Sequence, residues 1–432
     1  MSESLKTLLH RQATSVAFKS PDLESIVRAS NRRIRRRRMV AALVTVVAVG
    51  LAGGGTAAIV AGAGDDPPPP PASPWPADAV SWAAGSTIHV GTTDTIEVGH
   101  EVRAYVRTAT GFVVLDDTDA VYSVIGAGVS RIGQVHDSLP DNTDEQRLVA
   151  DSSGTLVGWV DEAALPDSLA VRIYDPITGS TTDIPMPLTT PDVHQLPGVM
   201  LFAIEDRTAY WRTYEGVHEY HLDSGDDRLI VDRWKTSPSH AIYSYEVYSA
   251  ENGVLAFTPD DDERIFAGPS VEDAIELIDF REYESDLPIP EDLQGREAEV
   301  ITSGIDPIRL SPTGGWLSFG LFEAVAVRAG DPNDGGAEIS AQRITPIAVD
   351  TSTGERVTLA IPDTMAGMPT VWLDDTTVQV VAFTVDAERP VPTSAVLYAC
   401  SVTEASCRSL AQIDLSGTQF VAFPDGRWYG LP

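Results

Sequence analysis

The chain has 432 residues, a formal net charge of −33 at pH 7 and only two cysteines. Such an excess of negative charge repels phosphate backbones, which excludes a nucleic-acid-binding protein. Aromatic residues are spread through residues 65–432, which is atypical of a disordered polypeptide, and the length of this segment allows a large buried core.

The charge is distributed unevenly. Residues 1–38 contain ten Lys and Arg against three Asp and Glu, whereas residues 65–432 contain twenty against sixty. The basic residues concentrate just before an apolar run, at Arg32, Arg33, Arg35, Arg36, Arg37 and Arg38. Residues 1–38 are therefore predicted to form a basic cytoplasmic tail that contacts anionic lipid headgroups.

The apolar run covers residues 39–64 and contains no charged residue. A helix of that length, rising about 1.5 Å per residue, spans the roughly 30 Å hydrocarbon core of a bilayer. The arginines predict that the N-terminus stays cytoplasmic and that everything after Gly64 is extracytoplasmic. The alternative is a signal peptide cleaved near Ala63, although the long charged region before the run favours an uncleaved single-pass anchor in the cell membrane.

Residues 65–80 form a proline-rich linker, with five consecutive prolines at 67–71 and further prolines at 74 and 76. Proline lacks an amide hydrogen and has a fixed φ, so it cannot continue a helix or a central strand. The run predicts a polyproline II spacer between the membrane and the outer domain.

From residue 81 onward the pattern is that of short β-strands separated by turns. One recurring hairpin places a turn before an aromatic or aliphatic strand, near residues 110, 153, 206, 252, 314, 375 and 425. A second hairpin places Asp and Gly around a tight turn, as in Asp175–Gly179, Asp350–Gly354 and the shorter His221–Gly225. Two hairpins in each period of roughly 45 to 60 residues predict the four-stranded blades of a β-propeller.

The two ends of residues 81–432 complement each other. Residues 420–432 supply only one hairpin. Residues 81–98 supply strands, but no hairpin of the first type comes before them. Pairing them in one blade, with the C-terminal hairpin inside, closes the ring and removes an open sheet edge. We therefore predict an all-β, seven-bladed propeller, with six blades, eight blades or two stacked β-sandwiches as the alternatives.

One motif carries a resemblance to a known family. The segment from Ser311 to Phe319, SPTGGWLSF, resembles the Ser-Pro-Asp-Gly-x-Trp motif of TolB-like and WD-repeat-like β-propellers, and so does FPDGRW from Phe423. The resemblance covers about residues 85–432 but only a few positions in each blade, and the Gly-His and Trp-Asp pairs of true WD repeats are absent. It implies a fold and no activity.

The stretch 259–303 is acidic and longer than one blade requires. Within it, Ser270 to Phe280 fits two interpretations, a short capped helix and the outer strand of a blade, because periodicity does not separate them in a short apolar run. A surface insertion of this length is a candidate place for function.

Cys400 and Cys407 flank a predicted hairpin turn. Facing positions in a hairpin lie within disulfide reach, and an extracytoplasmic location is oxidising. We predict a disulfide worth about 2 kcal/mol, since the loop that it closes is short.

No catalytic, cofactor-binding or metal-binding residue is predicted. His218 and His221 point to opposite faces if HEYH is a strand, and the segment Asp331–Gly335 lacks the distal glutamate of a calcium loop. The chain is therefore interpreted as a membrane-anchored binding, scaffolding or sensing module with a protein or small-molecule ligand outside the cell. The alternative is an extracytoplasmic hydrolase or lyase, which a cluster of carboxyls with raised pKa values at the propeller axis would favour.

Overall fold

The computed structural model describes residue 75 and residues 79–430, apart from residues 92, 136–145, 166–167, 186–199, 214–215, 233–245, 259–263, 271–272, 281, 284, 286, 291–297, 329–336, 363–364, 385–391, 416–419 and 428. The described part is all-β and contains no α-helix. Its strands form one five-stranded sheet and six four-stranded sheets. These seven sheets are the blades of a β-propeller, so the predicted seven blades are confirmed and the alternatives are wrong.

Blade 1 contains the first three strands and, as described below, the last two. The strands of blades 1 to 4 are β1 (Ser81–Ala84), β2 (Thr87–Val90), β3 (Asp94–Glu97); β4 (Val102–Arg107), β5 (Phe112–Asp116), β6 (Ala120–Ile125), β7 (Gly128–Gln134); β8 (Val149–Ala150), β9 (Val157–Leu165), β10 (Ser168–Asp175), β11 (Ser180–Pro185); β12 (Met200–Glu205), β13 (Thr208–Thr213), β14 (Gly216–His221) and β15 (Asp227–Asp232).

Blades 5 to 7 follow the same order, and two short strands complete the chain. They are β16 (Glu246–Glu251), β17 (Val254–Thr258), β18 (Arg264–Gly268), β19 (Ile275–Asp279); β20 (Ala298–Leu310), β21 (Trp316–Arg328), β22 (Ala337–Asp350), β23 (Arg356–Thr358); β24 (Met365–Trp372), β25 (Thr377–Thr384), β26 (Ser394–Ser401), β27 (Ser406–Asp414); and β28 (Phe420–Ala422) with β29 (Tyr429–Gly430).

The Asp-and-Gly hairpins form as predicted. The amide of Gly179 donates to the carbonyl of Asp175 at 2.8 Å, and the Asp175 carboxylate accepts from the amide of Ile177 at 2.8 Å. Gly354 and Asp350 repeat the backbone bond at 2.8 Å. Both glycines have φ of +72°, which only glycine adopts without cost.

The ring closes through pairing of the two ends of the domain. Strand β1 pairs antiparallel with β28, with Ala83 opposite Ala422 and Ala84 opposite Val421, and β28 also pairs with β29. The order of the sheet is β29-β28-β1-β2-β3, so the C-terminal hairpin lies inside the N-terminal strands as predicted.

The hydrophobic core is divided among the blade interfaces. Seven clusters of buried residues occur, and each contains residues of two neighbouring blades. The cluster between blades 7 and 1 joins Leu397 of β26 to Val421 and Phe423, with Trp82 of β1 packed against it. Each blade therefore buries both faces only when both neighbours are present.

The segment from Ser270 to Phe280 contains a strand, so the interpretation as a helix is wrong. Residues 275–279 are β19, the outer strand of blade 5, paired with β18. Leu277, Ile278 and Phe280 are buried in the cluster between blades 5 and 6. Pairing with β18 satisfies the backbone and places these apolar side chains in the interface.

Several predictions fall outside the described residues. They include the basic tail 1–38 with its six arginines, the apolar run 39–64 and the segment Asp331–Gly335. Within the residues that are described, no helix is long and apolar enough to cross a membrane.

Candidate functional site

The inner strands of blades 2 to 7 converge at one end of the propeller. Each ends where its turn to the second strand begins, at Arg107, Ala150, Glu205, Glu251, Leu310 and Trp372. Because neighbouring strands of a blade are antiparallel, the turns between the third and fourth strands lie at the same end. We call this end, which carries both recurring hairpin types, the turn end.

A cavity of about 430 Å³ opens at the turn end. Its wall contains residues from the inner-strand ends of blades 2, 3, 5, 6 and 7, together with Pro424 and Asp425. The volume lies within the range of small-ligand sites. Because the inner strands of a propeller face its axis, we call this space the axial cavity.

The C-terminal segment forms one wall of the cavity and joins distant blades. The amide of Gly426 donates to the carbonyl of Tyr105 in β4 at 3.0 Å, and the amide of Arg147 donates to the carbonyl of Gly426 at 2.9 Å. On another side, Nη2 of Arg309 in blade 6 donates to the carbonyl of Asp425. Residues 423–427, which we call the plug, therefore contact blades 2, 3 and 6 near the axis.

Position 426 requires glycine. Its φ is +75°, and a Cβ there would lie 1.8 Å from the carbonyl oxygen of Leu148. Any side chain would push the plug away from blade 3. The glycine of FPDGRW is thus explained by a close backbone approach as well as by a turn.

The chain enters the propeller at the turn end. Arg107 donates from Nη1 to the carbonyl of Ala79 at 2.6 Å and from Nη2 to that of Trp75 at 3.4 Å. The indole of Trp75 donates to Asp94 Oδ2 at 3.1 Å, and its ring centroid lies 5.6 Å from that of Phe112. Trp75, in the predicted linker 65–80, is thus seated on blades 1 and 2 and lines the axial cavity.

Asp151 lines the cavity but is bonded within its own turn. Its Oδ2 accepts from the hydroxyls of Ser153 at 2.6 Å and Thr155 at 2.7 Å, and its Oδ1 accepts from the amide of Leu156 at 2.9 Å. Because its carboxylate accepts three hydrogen bonds from the turn, Asp151 stabilises the turn that follows the inner strand.

Glu205 and Glu251 occupy the corresponding positions in blades 4 and 5. The Glu205 carboxylate accepts from the amide of Gly253 in the turn that follows Glu251, and burial raises the pKa of Glu205. Burial also raises the pKa of Glu251, to about 8, and the charges of Glu205 and Asp151 act in the same direction, whereas Ser152 and Arg309 oppose them. The Glu251 carboxyl is therefore largely protonated at neutral pH.

The predicted disulfide is present, and it lies outside the cavity lining. Cys400 and Cys407 face each other across β26 and β27 and are bonded, so the described residues contain no free cysteine. Cys400 is fully buried in the cluster between blades 6 and 7. This position indicates that the bond stabilises blade 7. The other predicted site residues, Arg32, Arg33, Arg35, Arg36, Arg37 and Arg38, are not described.

Sequence reasoning missed the residues that line the cavity. Asp151, Glu205 and Glu251 each stand directly before a turn of the first hairpin type, and this repetition was visible in the sequence. Arg309 precedes the TolB-like motif by two residues and has no comparable pattern. Arg309 donates to the carbonyl of Asp425 in the plug, which is distant in sequence.

His218 and His221 do not form a ligand set. His218 and His221 both lie in β14; His218 contacts Asp227 and Thr213, whereas His221 contacts Glu219 and Thr208. Across the described residues, no group of three or more His, Cys, Asp or Glu side chains is arranged to hold a metal ion.

No family model matches the chain, and no curated protein matches it. Similar solved structures include one assigned as TolB from Agrobacterium tumefaciens, with 10% identity and a TM-score of 0.37 over 82% of this chain and 98% of that chain. TolB from Acinetobacter baumannii has 9% identity and a TM-score of 0.35 over 80% and 66%, respectively. A prolyl endopeptidase has 12% identity and a TM-score of 0.44 over 81% of this chain and 51% of its own length.

These likenesses concern the fold alone, which the seven sheets establish independently. The chain is a seven-bladed β-propeller with TolB-like structural neighbours.

Proposed function

We propose that this chain is a single-pass membrane protein whose extracytoplasmic propeller binds a ligand in the axial cavity. One observation carries the binding role: the inner-strand ends of five blades and the plug surround a cavity of about 430 Å³ with both apolar and charged walls. Cavities of this size and composition are the usual sites for small molecules and for the ends of peptides.

The anchoring part of the proposal rests on the sequence. Six arginines precede an uncharged run of residues 39–64, and a proline-rich linker follows it. The basic side is expected in the cytoplasm, where the tail meets anionic lipid headgroups.

Cysteine labelling in intact cells tests this topology. Both native cysteines are paired, so a membrane-impermeant maleimide reports on an introduced thiol. Asp117→Cys, on an exposed propeller turn, should be labelled in intact cells, and Ser4→Cys only after permeabilisation. Protection of both thiols in intact cells would contradict an extracytoplasmic propeller. The mass of the mature chain separates an anchor from cleavage near Ala63.

The role of the arginines has a matched control. Replacing the six arginines with glutamine should reduce the fraction of chains with the expected orientation, because positive charge close to the span sets topology. Replacing Lys6, Arg11 and Lys19 with glutamine removes charge farther from the span and should have a smaller effect. Equal effects of the two sets would contradict this role.

Blocking the cavity tests the binding role. Ser152 is exposed and lines the cavity, so Ser152→Trp should narrow it, whereas Asp117→Trp places the same ring on an exposed turn at the opposite end. Saturation-transfer NMR with a diverse set of fragments, on the full chain in detergent, should find ligands that both wild type and Asp117→Trp bind and Ser152→Trp loses. If no fragment distinguishes the two variants, the cavity is not a binding site.

A protein partner is the second expected class of ligand. An impermeant crosslinker applied to intact cells, followed by mass spectrometry, should join such a partner to residues of the turn end. Loss of the same crosslink in Ser152→Trp and its retention in Asp117→Trp would place the partner at the cavity.

One observation favours a hydrolase or lyase as the second candidate. Glu251 has a pKa raised to about 8 and lies near Glu205, whose pKa is also raised. A protonated carboxyl in a cavity is a suitable general acid. Catalysis would be supported if the wild-type protein turned over a member of a panel of glycosides and peptides. In that case Glu251→Gln should lose kcat and retain KM. We rank binding first because the carboxylates of Asp151 and Glu205 already accept hydrogen bonds, the first from its own turn and the second from the amide of Gly253 in the next blade.

A further inference from the structure

The charged groups of the axial cavity differ in what they are bonded to. Arg107 donates to two backbone carbonyls of the entering chain, and Arg309 donates to the carbonyl of Asp425. Asp151 accepts from three donors of its own turn. These side chains stabilise the walls of the cavity.

Glu251 differs from its neighbours. It lines the cavity and is hydrogen-bonded to the side chain of Ser152, but its Oε2 is buried without a hydrogen-bond donor among the described residues. A buried acceptor that lacks a donor is unfavourable, and a ligand that supplies an N–H group would remove this cost. The cavity wall therefore contains one carboxyl oxygen whose hydrogen-bonding capacity is not used by the described residues.

The surrounding charge favours a cationic donor. When Glu251 is ionised, three carboxylates, those of Asp151, Glu251 and Asp425, line the cavity against two guanidiniums, and both guanidiniums donate to backbone carbonyls. Glu205 adds a fourth carboxyl close to Glu251. The half-buried ring of Trp75 on the wall suits an apolar or aromatic portion of the ligand, or the cation itself.

We propose that the axial cavity binds a small organic cation, an ammonium or a guanidinium, whose N–H groups donate to the Glu251 carboxylate. The proposal rests on the proposed function, because it names the ligand class of the same cavity.

The charge state of Glu251 gives this binding a pH dependence. The groups that face Glu251 are Glu205 and Asp151, which raise its pKa, and Arg309 and Ser152, which lower it; burial dominates and the pKa is about 8. A cation binds the ionised carboxylate, so binding releases a proton. With that pKa the ionised fraction, and hence the affinity, rises about 25-fold from about pH 6.5 to about pH 8.5.

Benzylamine and benzyl alcohol are matched probes, since they have the same ring and differ in charge. Calorimetric titration of the full chain in detergent should show binding of benzylamine, much weaker binding of benzyl alcohol, and tighter benzylamine binding at the higher pH. Glu251→Gln should weaken benzylamine by about tenfold or more and remove the pH dependence, because a neutral amide cannot pair with the ammonium. Glu404→Gln, at an exposed position of the turn in blade 7, should bind as wild type does.

The outcomes separate this inference from the proposed function. Equal binding of the alcohol and the amine, or amine binding that Glu251→Gln leaves intact, would overturn the cation proposal. If fragments of other chemistry bound wild type and Asp117→Trp but not Ser152→Trp, the binding role of the cavity would stand. No measurable benzylamine binding at millimolar concentration at the higher pH would also overturn the cation proposal, and the wild-type comparison of the two probes decides it even if Glu251→Gln fails to fold.

Discussion

Arg309 and Asp425 are 116 positions apart in the chain and are joined by a hydrogen bond from the guanidinium to the backbone carbonyl. The bond links blade 6 to a segment that also bonds to blades 2 and 3. The plug therefore contacts the ring at several places, in addition to the strand pairing by which β28 completes blade 1.

Removal of residues 417–432 should unfold the whole propeller and not only its end. The deletion removes β28, the buried residues Val421 and Phe423, and the bonds of the plug, so blades 1 and 7 each expose one face. Because every blade depends on two neighbours, the loss should spread around the ring. Denaturant unfolding followed by tryptophan fluorescence checks this. The buried Trp159 of blade 3 contributes to that signal and is distant in sequence from the deleted residues.

A shorter deletion of Leu431 and Pro432 is the control for the truncation and should leave the transition nearly unchanged. A truncation at Ser416 that unfolds at the same denaturant concentration as the full chain would refute closure of the ring by β28.

Gly426→Ala should destabilise the protein more than Gly85→Ala does. Both glycines have positive φ, +75° and +58°, so both variants carry the cost of about 1 kcal/mol for a left-handed alanine. Only at position 426 does the added Cβ meet backbone, whereas nothing lies within 4 Å at position 85. Equal free energies of unfolding for the two variants would show that the plug can move away from the carbonyl of Leu148 without a loss of stability.

Removal of the disulfide should cost about 2 kcal/mol, because the bond closes a short hairpin loop. The double variant Cys400→Ala/Cys407→Ala and reduced wild type should lose similar stability in thermal unfolding. Alkylation without reductant should label neither cysteine in the wild-type protein. Labelling of both would contradict the bond.

Stability should fall as the pH rises through the neutral range, and Glu251 should account for part of the fall. Its pKa is about 8 in the folded protein against 4.5 for an unperturbed glutamate, so between these values the folded state holds a proton that the unfolded state lacks. The free energy of unfolding then decreases with pH, by at most about 1.4 kcal/mol per unit for one group, until the pH passes 8.

Glu251→Gln should flatten this dependence and should be more stable than wild type above about pH 8. A residual slope of the same sign is expected from Glu205, whose pKa is also raised. The exposed Glu404→Gln is the control, and its profile should follow that of wild type. If the free energy of unfolding of Glu251→Gln changed with pH as that of wild type does, the raised pKa would not belong to Glu251.

The blades were predictable from the sequence because their turns are formed by residues that are neighbours in the chain. The turns at Asp175–Gly179 and Asp350–Gly354 depend on residues that are close in the chain. The spacing of the first hairpin type, which recurs near residues 110 to 425, predicts the number of blades. The pairing of β1 with β28 followed from the need to cover a sheet edge. The strand at residues 275–279 was ambiguous, because its state depends on packing against blade 6.

The axial cavity was less accessible to the same reasoning. Asp151 and Glu251 belong to the same positional class, yet one accepts three hydrogen bonds and the other has a buried oxygen without a donor. The donors differ in their place in the chain: Ser153 and Thr155 follow Asp151 in its own turn, whereas Glu251 is bonded to Ser152 of blade 3 and its neighbour Asn252 donates to the carbonyl of Thr313 in blade 6. Such contacts between blades are not encoded in the local sequence.

The pairing of β1 with β28 also sets an order of events during synthesis. Strands β1 to β3 are complete at residue 97, but their inner partner begins at residue 420. At about 5–20 residues per second, the ribosome needs on the order of 15–65 s to cover that distance. Throughout that interval blade 1 has an open inner edge, so the nascent chain must be kept from pairing with other strands until its last blade is made.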